Sequence, residues 1–190
     1  MRRQLALGYC LLLGSFGAAE ACGLHVQVKN KLPVNYPGAV EVGVAVITAR
    51  QLGILPKFRR ERPQNDSEFL RTIDDLEQLR RRIGNNRSAI PSGQSSSGFS
   101  MLLVGSGLWS SVELTASDLL ARYHITGPLK GMPVVVTHRE VLRTLLSGSL
   151  SLQRAYELRL LIFSGRHTSI IEHTLKTAFA GPKAHGEAQF

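Results

Sequence analysis

The stretch from Asn85 to Gly98 constrains this chain more than any other feature of its sequence. It is dominated by Asn, Ser, Gly and Pro and ends Ser92-Gly93-Gln94-Ser95-Ser96-Ser97-Gly98. A segment of that kind has little to bury, so it reads as a flexible linker. It also marks a change of period. Before it, apolar residues recur at helical spacing; after it, they come in short runs separated by glycine, as strands do.

Upstream, residues 22–36 carry Asn30, Pro33 and Asn35 and read as an irregular arm. From Tyr36-Pro37-Gly38 to Leu55 the period is mixed: Val40, Val44, Ile47 and Gln51 fall at helical spacing, while Val40, Val42, Val44 and Val46 alternate. The length of the run and its end, Arg50-Gln51-Leu52-Gly53, favour a helix with a cation in its last turn and a glycine just beyond. That helix is apolar on most sides, which predicts cover on two faces. A charged connector with Arg59, Arg60 and Arg62 leads to a second helix. Asn65 can cap it, Glu68 can reciprocate, and Phe69, Ile73, Leu76, Leu79 and Ile83 form one stripe up to Gly84.

Downstream, Phe99–Val104 and Leu108–Leu114 read as two strands of a hairpin across Gly105-Ser106-Gly107, and Leu119–Thr126 and Pro133–Thr137 as two more. Thr137 and Glu140 form a T-x-x-E capping box for a helix bearing Val141, Leu142, Leu145 and Leu146, which stops at Gly148. His138 falls just inside that helix start, where a surface polar residue without a role is expected. A short helix from Ser151, a strand Leu160-Leu161-Ile162-Phe163 closed by Gly165, and a last helix with Ile171, Leu175 and Phe179 on one side complete the order. Residues 181–190 read as a flexible tail. The expected fold class is α+β: a mostly antiparallel five-stranded sheet packed by helices, preceded by a helical N-terminal region. The expected domain plan is an α+β domain over 98–180 after an extension and linker over 22–97.

Several function classes are excluded by composition. The 190 residues include only 2 Cys, too few for a disulfide framework, and no C-x-x-C pair. The length admits one domain with an extension, not a large multidomain catalyst. Residues 1–21 resemble a secretory signal: Arg2 and Arg3 precede an apolar stretch from Leu5 to Phe16, and small residues end at Ala21. The stretch is too short for the ~20 residues of a spanning helix. Cleavage there predicts a periplasmic or secreted protein whose formal charge falls from +9 to +8 as Arg2, Arg3 and Glu20 leave. It also makes Cys22 the first residue. Ala19 and Glu20 fit a lipoprotein signal poorly, so a plain secretory signal is the reading.

Catalytic motifs are missing: no G-x-S-x-G, no H-E-x-x-H and no G-x-x-x-x-G-K-[ST] occurs. Gly105-Ser106-Gly107-Leu108-Trp109-Ser110 lacks the third glycine of a dinucleotide fingerprint and is read as a hairpin turn. No enzyme activity and no cofactor are therefore expected. Among six histidines the best metal constellation is Cys22 with His25 and the terminal amine, a weak one against an arm that simply binds a partner. The arginines between Lys57 and Arg87 interleave with acidic residues, so they read as a solvated helix face, not a nucleic-acid site; attraction to anionic lipid head groups is the second reading. Trp109 reads equally as core or as the lining of a ligand cavity.

The pattern Gly148-x-Leu150-x₄-Ala155-x₉-Gly165, with Trp109 on an earlier strand and Thr137 before the Leu142/Leu145/Leu146 helix, resembles the sterol carrier protein 2 family of lipid-binding domains over about residues 98–180. The resemblance implies a five-stranded sheet packed by helices around an apolar tunnel for an acyl chain, sterol or similar ligand. By position it implies Leu145, Leu146, Ala155, Tyr156, Leu161 and Phe163 as lining, with Leu175 and Phe179 as neighbours. The chain departs from the family in two places. Arg159 stands where the family has a glycine, and Leu160 and Ile162 put apolar side chains on the outer face of the last strand, which predicts an extra covering layer. The helix at 37–55 or a partner protein could supply it. The expectation is an exported, non-catalytic protein that binds a hydrophobic or lipid-like small molecule. The alternative is a periplasmic accessory protein that docks on a larger complex.

Overall fold

The computed structural model describes residues 35–57, 66–86, 97–114 and 118–180. The expectations for residues 1–34, including the signal, Cys22 and His25, lie outside these residues, as do the Asn65 cap, most of the linker and the tail. Among the described residues five helices and five strands follow one another as α1 (Ala39–Gln51), α2 (Asp66–Asn85), β1 (Ser97–Val104), β2 (Leu108–Leu114), β3 (Leu119–Ile125), β4 (Val134–His138), α3 (Arg139–Leu146), α4 (Leu152–Glu157), β5 (Leu161–Ser164) and α5 (Thr168–Phe179). The fold is α+β. Ser97 and Gly98 belong to β1, not to the linker.

The strands form one sheet in the order β3-β2-β1-β4-β5. β1 and β2 are the expected hairpin, with Leu102 opposite Trp109. β4 runs parallel to β1, pairing Leu102 with Val136, while β2–β3 and β4–β5 are antiparallel. The two-residue period of a strand then sorts the side chains onto two faces. Leu102, Val104, Trp109, Val136 and Ile162 share one face; Phe99, Met101, Leu103, Val112, Val135, Leu161 and Phe163 share the other.

Both faces are covered. Helix α1 lies across β4 and β1 on the first face. Its residues Val42 and Val46 are buried, and a Cβ on Gly38 would meet Ile162 Cδ1 at 3.4 Å. This is the extra layer that the apolar outer face of the last strand predicts. Helices α2, α3, α4 and α5 cover the second face. The stripe of α2 faces inward as expected: Leu76, Leu79 and Ile83 are buried, with Phe69 and Ile73 packed at the margin. All of these side chains belong to one continuous core. Burying an aliphatic side chain of this kind contributes about 1.5–3 kcal/mol.

Ion pairs fasten the layers at their edges. Arg50 of α1 donates from Nε and Nη2 to Glu140 Oε2 at 2.9 and 2.7 Å, linking α1 to the start of α3. Arg139 pairs with Glu68, and Arg143 with Asp75, tying α3 to α2. Among the described residues no helix is long and apolar enough to cross a membrane.

The start of α3 departs from the sequence reading. Strand β4 continues one residue further, so His138 is the N-cap and accepts from the Glu140 N–H at Nδ1, 3.2 Å. Thr137 instead donates its hydroxyl to the Leu160 carbonyl at 2.9 Å, across to the residue before β5. His138 is buried, not a surface residue, and sits against Gly105.

Candidate functional site

The eight residues expected to line a tunnel divide by burial. Leu145, Leu146, Ala155, Leu161 and Leu175 are sealed in the core at 0–5% exposure. Phe163 and Phe179 are half-buried at its margin, and Tyr156 is 46% exposed, its ring tilted over Phe163 with centroids 6.0 Å apart. α4, β5 and α5 pack on one another, so these side chains belong to one region of the inner layer. Trp109 is on the outer face instead, edge-on to Tyr36 at 5.0 Å. It packs there as part of the core margin.

An open apolar groove lies elsewhere, on the outer layer. It has a volume of about 270 Å³ and is walled by Val44, Ala45, Thr48, Ala49, Leu52 and Ile54 of α1 and its exit turn. Leu158 and Arg159, from the turn between α4 and β5, close the other side, and Glu41 stands at the rim. None of the eight expected lining residues belongs to it. The groove exists because α1 is apolar on more than one side while the sheet covers only one. Val40, Val44 and Ile47 recur at i, i+4 and i+7 and remain 55–58% exposed, and Leu52 is 68% exposed. A run of exposed aliphatic side chains on a single helix is the sort of surface that monomeric proteins reserve for contacts.

The two walls of the groove end in the same motif. After α1 the Gly53 N–H bonds to the Arg50 carbonyl and the Ile54 N–H to the Ala49 carbonyl, with Gly53 at φ 73°. After α4 the Arg159 N–H bonds to the Tyr156 carbonyl and the Leu160 N–H to the Ala155 carbonyl, with Arg159 at φ 58°. Both are Schellman turns, whose left-handed residue is usually glycine. The turn after α4 therefore has the conformation that glycine favours, although an arginine adopts it. A side chain there costs about 1–2 kcal/mol. What Arg159 gains locally is small. Its Nε approaches Glu41 Oε1 at 3.5 Å, with the two side chains 62% and 52% exposed. Exposed pairs of this kind contribute about 0–1 kcal/mol.

A second polar cluster, on the inner layer, is structural in geometry. Arg80 Nη2 donates to Glu77 Oε1 at 2.6 Å and the Tyr123 hydroxyl donates to Glu77 Oε2 at 2.6 Å. The Arg80 and Tyr123 hydrogen bonds hold the Glu77 carboxyl down at about 2. Burial, and then the carboxylate it bonds, push the Tyr123 hydroxyl up. The cluster joins α2 to β3. Among the described residues no three His, Cys, Asp or Glu side chains gather to hold a metal ion.

No protein-family model matches the chain, and no curated protein matches its sequence.

Proposed function

We propose that this is an exported, non-catalytic binding protein for an apolar or lipid-like ligand, and that the ligand occupies the groove between α1 and the α4–β5 turn. The observation that carries this reading is the groove itself, an apolar trough already open to solvent. An apolar ligand that settles there leaves water at about 25 cal/mol per Å² of its surface. The resemblance to the sterol carrier protein 2 family supports the class of ligand. The interior around Leu146, Ala155 and Leu161 is the competing location, and it would require the inner helices to part, because these side chains are almost fully buried.

Calorimetric titration of the full chain with decanol tests the reading. Ala45→Trp fills the groove from a half-buried position, whereas Leu146→Trp fills the interior. Loss of uptake in Ala45→Trp, with the melting temperature retained, is the expected result. Loss only in Leu146→Trp would move the ligand inside, and no uptake by the parent chain would overturn the binding function.

A further inference from the structure

The groove carries one charged element that the binding reading does not explain. Among the described residues three helices end in a turn whose left-handed residue follows the C-cap, and at two of them, after α1 and α3, that residue is Gly53 or Gly148. Only the third, after α4, places an arginine there, and it is the one whose side chain stands at the groove mouth. The weak contact with Glu41 does not account for the choice. Glu41 approaches Arg159 at Nε, so the two terminal nitrogens of the guanidinium remain to meet a ligand. A planar guanidinium matches a carboxylate through two parallel hydrogen bonds, which a lysine cannot reproduce.

We infer that Arg159 anchors the head group of an anionic, single-chain amphiphile, a medium-length fatty carboxylate whose tail lies along Val44, Ala45 and Leu52. This rests on the groove being the binding site. Charge and size both favour that occupant. The chain has a net charge of +9, which draws anions toward it. The groove, at about 270 Å³, falls just below the ~300–1,000 Å³ of ligand pockets, so it suits one acyl chain and not a sterol. Glu41 sets a second carboxylate at the rim, where it repels an anionic head group.

The test is titration of the full chain with decanoate and with decanol, which share a tail and differ in head group. The expected result is decanoate binding about tenfold tighter than decanol, the difference that a charge-assisted contact supplies. Arg159→Gly should erase that preference, so that decanoate and decanol bind alike, and not lower the melting temperature, because glycine suits the φ of this turn. Arg159→Lys should restore only part of the preference. Glu41→Gln should tighten decanoate alone. Equal binding of the two probes by the parent chain, or a preference that survives Arg159→Gly, overturns the anchor while leaving the groove reading intact. Binding of neither probe overturns both.

Discussion

Charged and polar side chains do more here than keep the surface wet. Glu77 is the clearest case. Its carboxyl is held at about 2 against an ordinary 4.5, chiefly by the hydrogen bond from Arg80 and then by that from Tyr123. A folded-state value below the unfolded one means that the carboxylate stabilises the fold above about pH 4.5 and that this contribution disappears as the pH falls toward 2. Glu77→Gln should therefore lower the urea midpoint at pH 7 and match the parent chain near pH 2. Parallel curves across that window would show that the cluster contributes nothing to folding. His138 is tested through its neighbour. Gly105 sits at φ 98°, and a Cβ there would stand 2.8 Å from His138 Nε2. Gly105→Ala should thus cost about 1–3 kcal/mol by strain and by displacing the cap. An unchanged melting temperature would mean that the His138 side chain yields freely.

Whether an element is tightly held depends on the face it presents, and α1 shows this within a single helix. Val42 is fully buried and Val44, two residues on, is 58% exposed. Val42→Ala should cost about 1–3 kcal/mol in chemical denaturation, whereas Val44→Ala should stay within about 0.5 kcal/mol. Equal effects would mean that the exposed face is covered in solution. The sequence predicts this helix and its Gly53 stop, and offers it, or a partner protein, as the cover that an apolar outer strand needs. It also predicts two covered faces, and the structure covers one. That difference is the groove. Its walls come from residues near 45 and near 158, and nothing local in either segment distinguishes a wall from core, so the apolar positions around Leu146 and Ala155 attract attention instead. The signal that was available is the excess of valine around α1. The cap of α3 is His138 and not Thr137 for a related reason. T-x-x-E fits Thr137, but β5 needs its hydroxyl for the Leu160 carbonyl, a contact between segments that no short motif encodes. The parallel pairing of β1 with β4 is likewise a long-range choice, and strand patterns alone leave it open.

At the scale of the whole molecule the sheet is shared property. Val42 lies in the layer over one face and Leu79 in the layer over the other, yet both belong to the same core cluster. Layers pack about 10 Å from a sheet, so the two side chains are well beyond direct contact and couple through the sheet between them. If α1 were a detachable cover, loosening it would leave the inner layer intact, and the chain would unfold in two steps. The arrangement argues otherwise. Losing α1 exposes Leu102, Val104 and Val136, which are 0–1% exposed, and Arg50 would leave Glu140 without its pair at the start of α3. Val42→Ala and Leu79→Ala should each shift one common transition seen by both near- and far-ultraviolet circular dichroism. Leu79→Ala should have the larger effect, about 2–5 kcal/mol. Because the sites are distant, the double variant should equal the sum of the singles within about 0.5 kcal/mol. A separate early transition in Val42→Ala would show that the outer layer, and with it one wall of the groove, opens independently of the inner core.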